Sequence, residues 1–428
     1  MRRHPFLFLA TAVIGTLLLL AAAYPSHEDW GFFGHRRINR LAVFTLDKDM
    51  MPFFRANVEY LTEHAVDPDK RRYATKHEAV RHYIDADHWG TLPFRDIPRD
   101  WTEALVSQAE FQLIDGRRGD TVSYRVDSIS GVDFSKKERD WRDTALVHLS
   151  TRNRPAFRLP LRECRRFFTW SVLPQYYEDE IIVNRDSLAA LWPEPLPARF
   201  DRFRVVDHFS EYGILPYHLL NMHKRIVWAF KEKDAAGILR LCAEMGHYVG
   251  DAHVPLHTTE NYNGQMSGQY GIHGFWESRI PELFADAEYD FLVGKAEYIQ
   301  DPRQYYWDIV LASHALVDSV LRTEKRLSLT YPVDRQFCFE DRLDITIRTQ
   351  CEDYARAWDE AMQGMVEERM RAAVLSIGSV WYTAWVEAGQ PDLRRLMTDA
   401  DRAALEREAQ KLEQEVARGG QLGRDHEG

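Results

Sequence analysis

Cysteine is scarce: the 428 residues contain four, none of them in a Cys-x-x-Cys pair. That excludes a disulfide-built scaffold, a thiolate zinc ribbon and thioredoxin-like chemistry. No G-x-G-x-x-G or P-loop sequence occurs, which removes the common dinucleotide and nucleoside-triphosphate folds. An excess of positive charge is also missing. Lys and Arg number 55 against 66 Asp and Glu, a net −11, so there is no basic footprint for duplex nucleic acid. No internal repeat is visible, and strand-type alternation is rare. With 45% hydrophobic residues the chain is too apolar to be disordered. Its length allows two or three average domains, or one large domain with insertions.

What is present begins at the N-terminus. Arg2 and Arg3 precede an uncharged, largely apolar run over 6–23 that closes on Ala21, Ala22 and Ala23. That order describes a secretory signal cut near Ala23, and so an exported protein. About 20 apolar residues also suffice to span a bilayer, so an uncleaved segment would be a membrane anchor. Export to an oxidising space would let Cys338 pair with Cys351; four buried free thiols are the alternative.

Apolar residues recur at helical spacing through Ile38, Leu41, Ala42 and Leu46, and again through Ile238, Leu241 and Met245. Long patterns over 305–327 and 351–386 continue the theme. The expectation is an all-α fold, one large multi-helix domain over 24–400. An irregular insertion at about 105–203, rich in Arg, Asp and Pro, interrupts it and offers one strand-like stretch, 121–126. Beyond 400, alternating charges predict a solvated helix with a frayed end from 419.

The chemistry is concentrated in 17 histidines. His247-Tyr-Val-Gly-Asp251 places an imidazole and a carboxylate one helical turn apart on the same face. Pro255 then ends the helix and lets His257 turn back toward that face. His273-Gly-Phe-Trp-Glu277 repeats the spacing. His82-Tyr83-Ile-Asp85-Ala-Asp87 adds a histidine beside acids, downstream of Asp67-Pro68-Asp69. Each group alone suits an ion pair, a helix cap or a turn. Together, with imidazole and carboxylate but no thiolate, they favour zinc and a catalytic site, since structural zinc sites are usually rich in cysteine.

In these motifs the chain resembles the zinc-dependent phospholipases C and the single-strand-specific zinc nucleases, which share an all-α fold around three zinc ions. The family's tryptophan and following histidine fall on Trp30 and His35, and its aspartate and histidine on Asp67 and His82. Its H-x-x-x-D-x-x-x-x-x-H motif falls on His247, Asp251 and His257, and its H-x-x-x-[DE] on His273 and Glu277. The resemblance implies one zinc on Asp67, His82, His247 and Asp251, and a second on His257, His273 and Glu277. It implies a third on Trp30, His35 and a bridging Asp251. It assigns Asp67 to orient or deprotonate the attacking water. The family tryptophan ligates through a free terminal amine, whereas cleavage near Ala23 leaves residues ahead of Trp30.

The implied function is secreted, zinc-dependent phosphodiester hydrolysis, phospholipase-C-like, with a single-strand nuclease as the alternative. A non-catalytic zinc-binding helical protein is the second alternative. Tyr83 and Asp85 are candidate substrate contacts, to a stacked base or to a head group. The expected partner is a phospholipid head group or a short single strand, with transient contact to a membrane surface and no obligate protein partner.

Overall fold

The computed structural model describes residues 32–132, 143–152, 154–342 and 345–418. The main core is carried by α1 (Phe32–Ala42), α2 (Leu215–Glu232), α3 (Ala235–His253), α4 (Ile280–Glu288), α5 (Pro302–His314), α6 (Val317–Thr330), α7 (Glu352–Ala361) and α8 (Met365–Glu387). A further helix, α9 (Asp399–Val416), opens with a capping box between Thr398 and Asp401 and buries only Leu405. Trp30, the 6–23 segment and the chain beyond 418 lie outside the described residues. Among the described residues no helix is long and apolar enough to cross a membrane.

Local signals set the hairpin that organises the bundle. Lys233, left-handed at φ 55°, ends α2, and the Asp234 side chain accepts from the Gly237 amide to start α3. Almost every residue of α3 is buried, because α1, α2 and α8 pack around it. The Trp381 indole of α8 donates to the Cys242 carbonyl at 3.1 Å. Two glycines one turn apart on α3 decide how near α1 comes. A Cβ at Gly246 would lie 1.8 Å from Asn39 Oδ1, and one at Gly250 would lie 2.9 Å from His35 Nδ1. Asn39 uses that space to donate to the carbonyls of Ala243 and Leu61 at 2.9 and 3.1 Å.

The expected all-α fold with an irregular insertion is wrong. The protein is an α+β mixture, and almost all of the sheet lies in the stretch read as irregular. Six antiparallel strands, β1 (Ala109–Ile114), β2 (Thr121–Ser130), β3 (Leu146–Thr151), β4 (Arg154–Pro160), β5 (Ile181–Val183) and β6 (Arg202–Asp207), form one sheet in the order β4-β3-β2-β1-β6-β5. Phe111 sits opposite Tyr124 on one side and Val205 on the other. The sheet has its own core, in which Phe111, Val147, Leu149 and Val205 join Leu161, Phe167 and Leu188 from the helices Leu161–Phe167 and Arg185–Leu191. A two-stranded hairpin, β7 (Phe337–Arg342) and β8 (Ile345–Gln350), is separate.

The reason is physical. One face of the large sheet is covered, so the other carries the Arg, Asp and Ser that made the composition look loop-like. Register shifts between Val126 and Ser128, and between Leu149 and Ser150, break the period of two in the β2–β3 and β3–β4 pairs, whereas β1 keeps it over Ala109–Ile114. Cys338 of β7 is bonded to Cys351 at the start of α7, with Cα atoms 5.0 Å apart. Cys164 and Cys242 are buried free thiols, and burial pushes Cys164 up to about 12.

Candidate metal centre

The site histidines arrive on helices, on a 3-10 turn and on the chain between regular elements. His35 is in the first turns of α1, one face of which it buries with Ile38, Asn39 and Ala42. His247 and Asp251 are one turn apart on α3. Pro255 opens a single 3-10 turn that carries His257. That turn is stitched in both directions to the irregular segment that starts at His82, the residue ending the 3-10 turn Ala79–Arg81. The Ile84 amide donates to the His257 carbonyl at 2.9 Å, and His257 Nδ1 donates to the His82 carbonyl at 2.7 Å. His273 precedes a π-type turn, Phe275–Arg279, that sets Glu277 2.8 Å from His273 Nε2.

The side chains meet in one buried cluster. His82 Nδ1 is 3.0 Å from Asp251 Oδ2 and 3.1 Å from His247 Nε2. His35 Nε2 lies 3.3 Å from both Asp251 Oδ1 and Glu277 Oε1, and its ring stacks on His247 at 3.9 Å. His257 Nε2 is 3.2 Å from Glu277 Oε2. Asp69 Oδ1 stands 3.5 Å from His247 Nε2 and 3.7 Å from His82 Nδ1. Four overlapping groups of three ligand atoms could each hold an ion: His35–Asp69–His247, His82–His247–Asp251, His257–His273–Glu277 and His35–Asp251–Glu277. Asp69, at 21% exposed, is the most accessible of these side chains, and marks the side on which the cluster meets solvent.

Two features fit a divalent cation. His247, His257 and His273 each direct Nδ1 at a backbone carbonyl, of Ala65, His82 and Tyr262. A carbonyl only accepts, so Nδ1 carries the proton and Nε2 is left bare toward the cluster. Asp251 Oδ1, fully buried, accepts no hydrogen bond from a described residue. Burial and the carboxylates of Glu277 and Asp69 push Asp251 well above the usual carboxylate range. Burial alone would raise Glu277 and Asp69 too. The ring nitrogens around them prevail and hold both low. Burial pushes His82 down to about 3 and His257 to about 4, so their imidazoles are neutral donors. Neutral imidazoles around crowded carboxylates are the donor set of a first-row divalent metal.

No protein-family model matches the sequence, and no curated protein matches it. Ligand spacing and geometry therefore carry the functional reading.

Among the sequence-derived candidates, His35, His82, His247, Asp251, His257, His273 and Glu277 converge. Asp67 does not join them. It pairs outward with His64 at 2.6 Å and Lys70 at 3.3 Å, and Asp69 takes the inward place. Both lie on the short helix Asp67–Arg71, where residues two apart are turned by about 200°, so only one of them can face the cluster. Tyr83 is 5% exposed and its hydroxyl donates to the Glu211 carbonyl, which leaves no open ring face for stacking. Asp85 is buried outside the four ligand groups, its amide donating to the Tyr212 carbonyl.

Glu78 was missed in the sequence. Fully buried, it stands 3.7 Å from His82 Nε2 and receives the Tyr248 hydroxyl and Arg81. Its i,i+4 spacing to His82 was the available signal.

Proposed function

We propose that the protein is an exported, zinc-dependent phosphodiester hydrolase of phospholipase-C-like type. The observation that carries this reading is the convergence of five histidines and three carboxylates in one buried cluster with overlapping ligand groups. When bound there, zinc would acidify water and neutralise charge on phosphoryl oxygens. The chain's own part is preorganisation. Ala65, His82 and Tyr262 carbonyls lock three imidazoles with Nε2 inward. Asp251 turns Oδ2 to His82 and His247 and Oδ1 to His35, so one carboxylate serves two groups.

Asp69 takes the role first given to Asp67. It is anionic at neutral pH and the most accessible carboxylate of the cluster, placed to accept the proton of an attacking water at Oδ1. The buried Tyr83 ring and the net charge of −11 favour a head group over a single strand as substrate. Met266 and Tyr270, exposed by 69% and 75% on the loop leading into His273, support transient contact with a lipid surface. The Cys338–Cys351 bond supports export.

The test compares phosphatidylcholine, single-stranded DNA, RNA and bis(4-nitrophenyl) phosphate, using purified protein before chelation, after it, and after zinc is returned. Zinc-restored hydrolysis of phosphatidylcholine ahead of the nucleic acids is expected. Preference for single strands would replace the lipid reading with the nuclease. Tight zinc binding with no turnover of any substrate would leave only a zinc-holding protein.

A further inference from the structure

A cavity of about 280 Å³ lies where the helical bundle meets the sheet unit, and the ligand cluster contributes nothing to its lining. Its bundle wall is one face of α2, on which Tyr217, Asn221 and Lys224 follow at helical spacing. Trp101 and Tyr176, which pack on both cores, adjoin that face, and Arg303 at the start of α5 is part of the same lining. The hydroxyls of Tyr217 and Tyr176 are already bonded, to the Pro98 carbonyl and Ser210 Oγ, so these two residues add ring carbon rather than a free hydroxyl to the lining.

His218 supplies the polar group inside. It is 5% exposed, it lines the cavity, and its Nε2 has no hydrogen-bond partner among the described residues. Burial holds this imidazole well below its ordinary value, so it is neutral. Its ring is packed edge-on against Tyr248 at 4.5 Å. A buried polar nitrogen without a partner is costly, and such exceptions in folded proteins call for a ligand or water.

The charges at the rim are unbalanced. Lys224 is exposed and makes no ion pair with a described residue. Arg303 meets Asp100 only at 3.7 Å. Asp100 is already engaged, capping the helix Trp101–Ser107 through the Thr102 and Glu103 amides and standing 3.7 Å from Arg165.

We propose that this cavity binds a small aromatic anion, its planar ring lying against the aromatic wall in which Trp101 packs on Tyr176 and Tyr217 at 5.4 and 5.3 Å. Its acidic group faces Lys224 and Arg303, and a polar ring substituent bonds to His218. The size sits at the lower end of ligand cavities, which limits the occupant to about one ring system. A carboxylate and a phosphate meet the same cations, so both are tested.

The experiment is calorimetric titration of the full, zinc-loaded protein with 4-hydroxybenzoate and with phenyl phosphate, against cyclohexanecarboxylate as the non-aromatic control. One saturable site is expected, with a Kd on the order of 0.1 mM for the better aromatic probe, which names the acidic group. Cyclohexanecarboxylate should bind at least about tenfold more weakly. Lys224→Glu and His218→Phe should each weaken the aromatic probe about tenfold or more. Asn221→Trp, a change at an exposed position that fills the space, should abolish binding even if His218→Phe fails to fold. No saturation by about 10 mM, or no effect of Lys224→Glu and Asn221→Trp, overturns the proposal. Loss of binding in Asp69→Asn with retention in Lys224→Glu would place the probe in the metal cluster and also overturn it.

Discussion

Asp67 and Asp69 are separated by a single proline, and the structure gives them opposite environments, which makes the pair a sharp test of the metal centre. Asp69→Asn removes a negative charge 3.5 Å from His247 Nε2 and 3.7 Å from His82 Nδ1, while keeping the shape of the side chain. Taking one charged member out of a buried, hydrogen-bonded set costs about 2–5 kcal/mol. A factor of ten corresponds to about 1.4 kcal/mol, so affinity for the ion at this group should fall by roughly 30-fold to several thousandfold. Asp67→Asn removes only a partly exposed pair with His64 and Lys70. Such pairs are worth about 0–1 kcal/mol, so zinc affinity should change less than about fivefold. The assay is zinc competition against a chromophoric chelator, with bound zinc counted by mass spectrometry after gel filtration. Normal zinc affinity in Asp69→Asn beside a lost ion in Asp67→Asn would refute the inward assignment of Asp69.

Glu78→Gln should keep the fold but weaken zinc at the His82 group by about 10–100-fold, because His82 Nε2 loses its carboxylate; unchanged affinity would make Glu78 a structural acid only. Gly246→Ala should lower stability by several kcal/mol or prevent folding, since the new methyl meets Asn39 Oδ1; a thermal midpoint within a degree of wild type would contradict the α1–α3 packing. His253 is held down to about 3 by burial and then by Arg369, against about 6.5 when unfolded. Between those values the unfolded chain binds the extra proton, so stability falls as pH falls. This one residue contributes a loss of about 2 kcal/mol from pH 7 to 5. Urea midpoints of metal-free wild type and His253→Gln should therefore converge on acidification, and a constant gap would count against it. Reducing Cys338–Cys351, which are 13 residues apart, should cost about 3 kcal/mol of unfolding free energy, read from urea curves with and without reductant.

Local spacing alone determined much of the site. His247 with Asp251, and His273 with Glu277, are pairs whose meeting needs nothing but one helical turn, and Pro255 marks the point where the chain turns back. The same one-turn spacing links Glu78 to His82. Choosing between Asp67 and Asp69 was another matter. Both are acids beside the same proline, and only the rotational phase of a five-residue helix against α3 decides which one faces inward. The sheet was hidden for a related reason. Strand pairing joins residues far apart in the chain, such as Phe111 and Val205, and in β2, β3 and β4 two register shifts break the alternation that would have announced it locally. Turns and caps are short-range chemistry and can be read along the chain. Register, helix phase and the close approach of α1 to α3 depend on what lies across the gap, and that is settled only when the whole chain packs.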